Sequence, residues 1–132
     1  METRITRDKL SFDQAFESVK APGFGAAVLF VGTVRETEEG RKVSAINYEA
    51  YDQMALTELA KGAMAAEEKH GAHLAVFHRL GAVPVGEASI VVAAAAAHRE
   101  EAFAACRAVV EHLKENVPIW KTAFIPAEEK AP

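Results

Sequence analysis

The apolar segment from Ala88 to Ala97 constrains the fold more than any other part of the chain. It begins with Ile90-Val91-Val92, which favours a β-strand, and continues into consecutive alanines, which could also propagate a helix. As a helix it would merge with the helical pattern beyond it into roughly thirty uncapped residues, longer than helices of globular proteins usually are. We therefore predict a buried strand that ends near His98, followed by a separate helix.

Periodicity predicts the remaining elements. Ser11 and Gln14 have capping-box spacing, Gly71 is a helix stop, and Gly81, Pro84 and Gly86 are typical of a turn. The predicted order is a helix over 11–19, strands over 26–34 and 43–51, a helix over 52–71, strands over 74–80 and 88–97, a helix over 99–116 and a strand over 117–125. The first two strands are predicted to pair as a hairpin. This order, α-β-β-α-β-β-α-β, indicates an α+β fold with a mixed or antiparallel sheet and helices packed against one side of it.

The two long helices each carry an apolar stripe at helical spacing, which we expect to be buried. In the 52–71 helix, where Asp52 is the candidate cap, the stripe comprises Met54, Ala55, Leu59, Ala63 and Ala66. In the 99–116 helix it comprises Phe103, Cys106, Val109, Val110 and Leu113. On this stripe Cys106 is expected to act as a small hydrophobic residue rather than as a nucleophile.

Size and composition narrow the class of protein. The 132 residues fit one domain spanning 1–132, with a flexible tail expected from Pro126. A net charge of −4 argues against a nucleic-acid partner, which would require a basic surface. The single cysteine permits no internal disulfide, the first residues lack a signal-peptide core, and no apolar run is long enough to span a membrane. A cytoplasmic protein without membrane contact is the expectation.

The usual catalytic patterns do not stand out. Gly23-Phe24-Gly25 precedes a strand instead of following one, so it does not predict a dinucleotide loop. His70, His73 and His78 are spaced loosely like metal ligands, but on a shared strand the odd separation of His73 and His78 puts them on opposite faces, and no cysteine joins them. We therefore predict no metal, and we predict no cofactor. The acidic 36–39 segment is typical of a solvated loop. The chain therefore offers cations but no obvious nucleophile.

Those cations recur where predicted strands and helices end. They are Arg35 after the first strand, His98 and Arg99 at a strand-to-helix corner, and Lys114 and Lys121 on either side of Pro118. Each one alone is typical of a protein surface, but together they indicate a pocket for an anion, which arginine binds as a fork and lysine as a point charge. His78-Arg79 is a weaker candidate of the same kind.

Five segments in order carry a family resemblance. They are Gly25-Ala26 leading to 30–35, Tyr48-Glu49-Ala50-Tyr51 with Met54, His78-Arg79-Leu80-Gly81 with Gly86-Glu87, Ala97-His98-Arg99 with Ala102-Phe103, and Leu113-Lys114 with 117–121. Together they resemble the large, catalytic subunit of molybdopterin synthase, over a span from about Gly25 to Lys121.

This resemblance implies a hammerhead-type α+β fold and a homodimer of this subunit within a heterotetramer. It implies a partner, a small ubiquitin-like sulfur carrier whose C-terminal Gly-Gly ends as a thiocarboxylate. The implied substrate is cyclic pyranopterin monophosphate, which two sulfur transfers would convert into the dithiolene of molybdopterin. The chain would then need no nucleophile, because the sulfur donor arrives on the partner.

The resemblance also implies roles for individual residues. Lys121 and Lys114 would be catalytic, with Lys121 closest to the chemistry and Lys114 stabilising developing charge. Arg35, His98 and Arg99 would bind the phosphate and the pterin, with a site residue contributed across the dimer interface. Relatives often carry a basic residue and a glutamate right after the second lysine, where this chain has Thr122-Ala123.

Two alternatives share the predicted anion site. One is a non-enzymatic regulatory domain that binds a phosphorylated metabolite. The other is an inactive scaffold subunit of the same complex, which the Thr122-Ala123 departure motivates. Only an active synthase requires both a channel for a Gly-Gly tail and a functional Lys121.

Overall fold

The computed structural model describes residues 1–127, which form three helices and eight strands. In chain order these are β1 (Glu2–Thr6), α1 (Phe12–Val19), β2 (Ala26–Thr33), β3 (Thr37–Glu38), β4 (Arg41–Ala50), α2 (Asp52–His70), β5 (Ala72–Arg79), β6 (Gly81–Pro84), β7 (Ala88–Ala96), α3 (Arg99–Asn116) and β8 (Ile119–Pro126). All eight elements predicted from the sequence are present. Strands β1, β3 and β6 are additional.

A four-stranded sheet in the order β1-β5-β7-β2 forms the centre of the molecule. Strand β1 runs parallel to β5, and the other pairs are antiparallel, so the sheet is mixed. Every residue of β7 is buried, which confirms that the apolar alanine-rich segment is a strand. A strand covered on both faces needs apolar side chains at every position, which explains why its sequence does not alternate.

Helices cover both faces of this sheet. Helices α2 and α3 pack on the face that includes Ile90 and Val92, and α1 packs on the face that includes Val91 and Ala93. The small alanines of β7 let the helices approach closely, while each fully buried valine contributes roughly 1.5–3 kcal/mol of apolar transfer energy. The expectation of helices on one side is therefore wrong for α1, but the α+β class is confirmed.

A second sheet holds β3, β4, β6 and β8, with β4 between β6 and β8. The predicted hairpin of the first two long strands is therefore wrong, because β2 pairs with β7 and β4 pairs in the other sheet. The segment between them instead folds on itself, as Glu38 pairs with Arg41 across a turn in which Gly40 has a φ of 76°. That turn directs β4 into the second sheet, so β4 does not pair with β2.

Other boundaries differ from prediction in smaller ways. Of the residues 81–86 expected to form a turn, 81–84 are strand β6 and 85–86 form the turn. Pro126 is the last residue of β8 rather than the start of a tail, and residues 128–132 lie outside the described range. Asp52 is the first residue of α2, not its cap. Met54 and Phe103 are exposed rather than part of the buried stripes.

The predicted helix ends at Ser11 and Gly71 are confirmed. Ser11 Oγ accepts a hydrogen bond from the Gln14 backbone N–H at 3.1 Å, and Gly71 closes α2 in the left-handed region with a φ of 63°. Within residues 1–127, no helix combines the length and the apolar composition that crossing a bilayer requires.

Helices α2 and α3 pack against each other where Gly62 faces His112. The His112 Nε2–H donates a hydrogen bond of 2.8 Å to the Glu58 carbonyl, across the space that a side chain at position 62 would fill. A Cβ on Gly62 would overlap the imidazole ring. The glycine is therefore required by packing, since its backbone conformation is ordinary helix.

We expect Gly62→Ala to lower the free energy of unfolding by about 2 kcal/mol, because the displaced imidazole leaves a buried carbonyl contact unmade. In a His112→Ala background the same change should stabilise by about 1 kcal/mol, since alanine is the better helix former. Urea unfolding of the four proteins measures this coupling. Equal effects of Gly62→Ala in both backgrounds would refute the packing explanation.

Candidate active site

The chain turns a corner at Pro118, as the sequence predicts. Val117 caps α3 in an extended conformation, and its backbone N–H donates to the Leu113 carbonyl at 3.2 Å. Pro118 cannot continue the helix, and its carbonyl accepts a hydrogen bond from the Tyr51 N–H at 3.3 Å. Lys114 thus occupies the last turn of α3, while Lys121 lies in β8, opposite Tyr48 in the register with β4.

Both lysines line one cavity of about 340 Å³. The cavity lies between the two sheets and the C-terminal end of α3. Its walls comprise Phe30, Gly32, Tyr48, His78, Ser89, Ile90, Val110, Leu113, Lys114, Val117, Ile119, Trp120 and Lys121. The negative end of the α3 dipole favours a cation at Lys114. Apolar walls with two ammonium groups suit a ligand that is flat or narrow and carries negative charge.

Thr122, where the resemblance implies a basic residue, forms a hydrogen bond between β8 and β4. The Thr122 Oγ1 accepts a hydrogen bond of 2.6 Å from the Asn47 side-chain amide, beside the irregular pairing of β4 with β8 at Asn47 and Tyr48. This bond links β8, which carries Lys121, to the neighbouring strand β4 within the second sheet. Nothing in the structure explains the alanine at 123.

The weaker candidate His78 lies in the wall of the same cavity and is buried. Its Nδ1–H donates to the Arg79 carbonyl at 2.9 Å, because a carbonyl can only accept, and its ring meets that of Tyr48 edge-on. Burial lowers the pKa of His78 from 6.5 to about 4, although the bond to the carbonyl opposes this shift. The imidazole is therefore neutral near pH 7, with Nε2 as an acceptor.

This histidine makes stability depend on pH. Because its pKa is lower in the folded state, the unfolded chain binds more protons between pH 4 and pH 6.5. The contribution of neutral His78 to the free energy of unfolding is complete above pH 6.5 and is lost as the pH falls towards 4. The total is about 3 kcal/mol. Between pH 7 and pH 4.5, wild type should lose roughly 2 kcal/mol more stability than His78→Gln, by urea unfolding. The exposed-site control His98→Gln should retain the wild-type dependence, and equal losses in wild type and His78→Gln would contradict the assignment.

Arg35 and Lys121 are brought together by a residue that the sequence did not identify. Glu38 Oε2 lies 3.4 Å from Arg35 Nη2 and 3.7 Å from Lys121 Nζ. The Glu38 side chain is only 9% exposed, against 76% for Arg35 and 37% for Lys121. The interpretation of the whole 36–39 segment as solvated loop is therefore wrong at Glu38. No local sequence signal marks this burial, because it depends on the fold of the β3–β4 turn.

His98 and Arg99 lie outside the cavity that Lys114 and Lys121 line. They flank the start of α3 beside Gly25 and Ala26, in an opening of about 570 Å³. Arg99 and Lys114 are fifteen positions apart on one helix, which at the usual rise separates their backbones by about 22 Å. A single chain therefore brings Arg35, Lys114 and Lys121 to one region but leaves His98 and Arg99 at the opposite end of α3.

The cavity supplies charge and hydrogen bonding rather than a nucleophile. Its hydroxyls belong to Tyr48 and Ser89, and Ser89 Oγ donates to the Gly32 carbonyl at 3.3 Å. Cys106 is buried outside this lining, and burial raises the pKa of its thiol to about 11, so it stays protonated. Fold and site together define an α+β domain with one cavity whose lining includes two lysines.

Comparisons with known proteins identify the family. A family model described as MoaE protein matches residues 5–116. The molybdopterin synthase catalytic subunit of Homo sapiens is 47% identical over 118 residues, 89% of this chain and 63% of the human protein. The structure of molybdopterin synthase from Staphylococcus aureus aligns with a TM-score of 0.85 and 34% identity, covering 89% of this chain and 86% of that one. The protein–protein complex of subunits 1 and 2 of molybdopterin-converting factor from Helicobacter pylori aligns with a TM-score of 0.74 and 25% identity, covering 98% and 92%.

This chain belongs to the MoaE family, and the resemblance predicted from its ordered segments is confirmed. It spans less than two thirds of the length of the human relative.

Proposed function

We propose that this protein is a sulfurtransferase, the catalytic subunit of a molybdopterin synthase. It would transfer sulfur from the thiocarboxylated C-terminus of a small carrier protein to cyclic pyranopterin monophosphate. The observation that carries the proposal is one cavity lined by Lys114 and Lys121, with no activated nucleophile in its wall. Such a site suits a reaction whose nucleophile arrives on a partner while the enzyme supplies position and positive charge.

The chemistry proceeds in two rounds. In each, the thiocarboxylate sulfur forms a bond to a carbon of the substrate ring and a carbon–oxygen bond of that carbon breaks; the oxygen leaves as water in one round and as the phosphate ester oxygen in the other, which opens the cyclic phosphate. Water then cleaves the bond between that sulfur and the carrier's carbonyl carbon. The carrier leaves with an ordinary carboxylate, and the sulfur stays on the substrate. A second carrier repeats these steps, the cyclic phosphate opens, and the dithiolene remains.

Each lysine has a separate task in this scheme. Lys121 lies nearest the reacting atoms and exchanges the proton that the leaving or attacking group requires. Lys114 stabilises the negative charge that develops on the carbonyl oxygen or the phosphate, for which a positioned cation in a partly dry cavity is effective. Arg35, held beside Lys121 through Glu38, binds the substrate phosphate at the rim.

The sulfur donor is proposed to be a ubiquitin-like carrier that ends in Gly-Gly. The neighbouring structure from Helicobacter pylori is a complex of two different subunits of molybdopterin-converting factor, which supports a partner of this kind. Phe30, Ile119 and Trp120 give the cavity apolar walls, which suit a Gly-Gly tail because glycines have no side chains to accommodate. We expect the reaction to occur in the cytoplasm, where the single cysteine would stay reduced.

A homodimer within a heterotetramer would complete the site. Strand β2 is an edge of the central sheet and exposes Leu29, and the neighbouring Phe103 is 61% exposed. An apolar edge strand is a template for pairing with another chain, and it starts beside the opening that holds His98 and Arg99. We propose that a second copy covers this edge and contributes His98 and Arg99 to the lysine cavity.

Reconstitution tests the function. The protein is mixed with a thiocarboxylated carrier and cyclic pyranopterin monophosphate, and the dithiolene product is measured by mass spectrometry. We expect product only when all three components are present. Binding of the cyclic phosphate without product would favour a regulatory metabolite-binding domain, and binding of the carrier without product would favour a scaffold subunit.

A further inference from the structure

Glu38 is the only carboxylate residue buried among the described residues. Its neighbours in the same acidic segment, Glu36 and Glu39, are exposed, and Glu39 makes only a 3.9 Å contact with Arg41. A buried carboxylate is costly unless cations or hydrogen bonds compensate it, and Glu38 has two cations within 4 Å. Its burial therefore points to a specific role rather than to surface solubility.

The backbone fixes where this carboxylate stands. Glu38 is the last residue of β3 and pairs with Arg41 of β4 across the turn at Glu39 and Gly40. The side chain thereby reaches the Lys121 ammonium without being part of the cavity wall, so it contacts the lysine from outside the cavity. An ammonium has three donors, so one can face Glu38 while the others face a ligand.

We propose that Glu38 is a positioning residue that holds the Lys121 ammonium and the Arg35 guanidinium as a fixed pair at the rim of the cavity. Without it, two cations on flexible side chains would repel each other and move into solvent. With it, Lys121 is restricted to the cavity side of its range and Arg35 stays beside it. The predicted effect on kcat rests on the proposed sulfur transfer, whereas the positioning of Lys121 does not.

The first test is kinetic. Glu38→Gln keeps the shape and removes the charge, and we expect its kcat for dithiolene formation to fall at least about tenfold, since small displacements of catalytic groups are costly. Glu38→Asp keeps the charge and should retain more activity. The matched control Glu39→Gln, one residue away and exposed, should be unchanged. A folded Glu38→Gln protein with kcat within twofold of wild type would overturn the proposal.

The second test does not depend on sulfur transfer. Acetylation of single lysines by an N-hydroxysuccinimide ester, followed by mass spectrometry, reports how free each ammonium is. Lys121 should react several-fold faster in Glu38→Gln than in wild type, while Lys69 on α2 reacts equally in both. An unchanged Lys121 rate would refute the positioning role even if the reconstituted enzyme is active, and a raised rate would support it even if no dithiolene forms.

If Glu38→Gln does not fold, Glu38→Asp carries both tests. Its carboxylate is withdrawn by about one bond length, roughly 1.5 Å, from the Lys121 ammonium. We then expect a reduced kcat and faster acetylation of Lys121. Wild-type values for both quantities in Glu38→Asp would overturn the proposal.

Discussion

Lys121→Ala should lower kcat for dithiolene formation on the order of a hundred- to ten-thousand-fold, while the protein stays folded. The size of the loss follows from the two tasks assigned to this ammonium, proton exchange and charge stabilisation beside the reacting atoms. Folding should be preserved because the Lys121 side chain is 37% exposed and, within residues 1–127, Glu38 is its one ion-pair partner. Single-turnover assays with thiocarboxylated carrier and cyclic pyranopterin monophosphate measure the effect.

Lys61→Ala is the matched control for this substitution. Lys61 is an exposed lysine on α2 that pairs with Glu58 at 3.4 Å, away from the cavity. It should retain wild-type kcat, since exposed ion pairs contribute little. Full activity of Lys121→Ala would refute the assigned role for Lys121, whatever the activity of the control.

Mixed dimers of Lys121→Ala and Arg99→Ala subunits should recover about half of wild-type activity, although each variant alone is nearly inactive. In a shared site, one cavity of the mixed dimer combines an intact Lys121 with an intact Arg99 from the other copy, and the second cavity lacks both. We expect sharing because Arg99 lies about 22 Å along α3 from Lys114, which lines the same cavity as Lys121. One chain therefore cannot bring Arg99 to its own lysine cavity. Co-expression with two affinity tags isolates the mixed species.

The pair Lys121→Ala and Lys114→Ala provides the control for this complementation. Both lysines line the same cavity of one chain, so each cavity of that mixed dimer carries one lesion and no activity should return. Failure of the Lys121→Ala and Arg99→Ala pair to recover activity in a confirmed dimer would contradict a site shared between subunits.

Most elements of the fold were predictable because local sequence determines them. The Ser11 cap, the Gly71 stop and the break at Pro118 each reflect one residue's conformational preference. Strand pairing was not predictable in the same way. The hairpin expected between β2 and β4 is absent because the β3–β4 turn reverses the chain first, and β2 finds its partner β7 more than fifty residues away.

The candidate site likewise combines features that local sequence predicts with contacts that only the tertiary fold creates. Lys114 and Lys121 could be predicted together because the corner at Pro118 is local in sequence. Glu38 contacts both Arg35 and Lys121, and these contacts could not be predicted from local sequence. They depend on how the strands of the second sheet pack together. Met54 and Phe103 fit the helical stripes by spacing, yet both remain exposed, because spacing alone does not determine which side chains the fold covers.

Sulfur transfer from an external carrier can be tested most directly with an isotope. The carrier is prepared with a ³⁴S thiocarboxylate and mixed with this protein and cyclic pyranopterin monophosphate, in the presence of unlabelled sulfide. We predict that both sulfur atoms of the dithiolene product carry ³⁴S. Product that contains unlabelled sulfur, or no product from folded protein with intact carrier, would contradict the account.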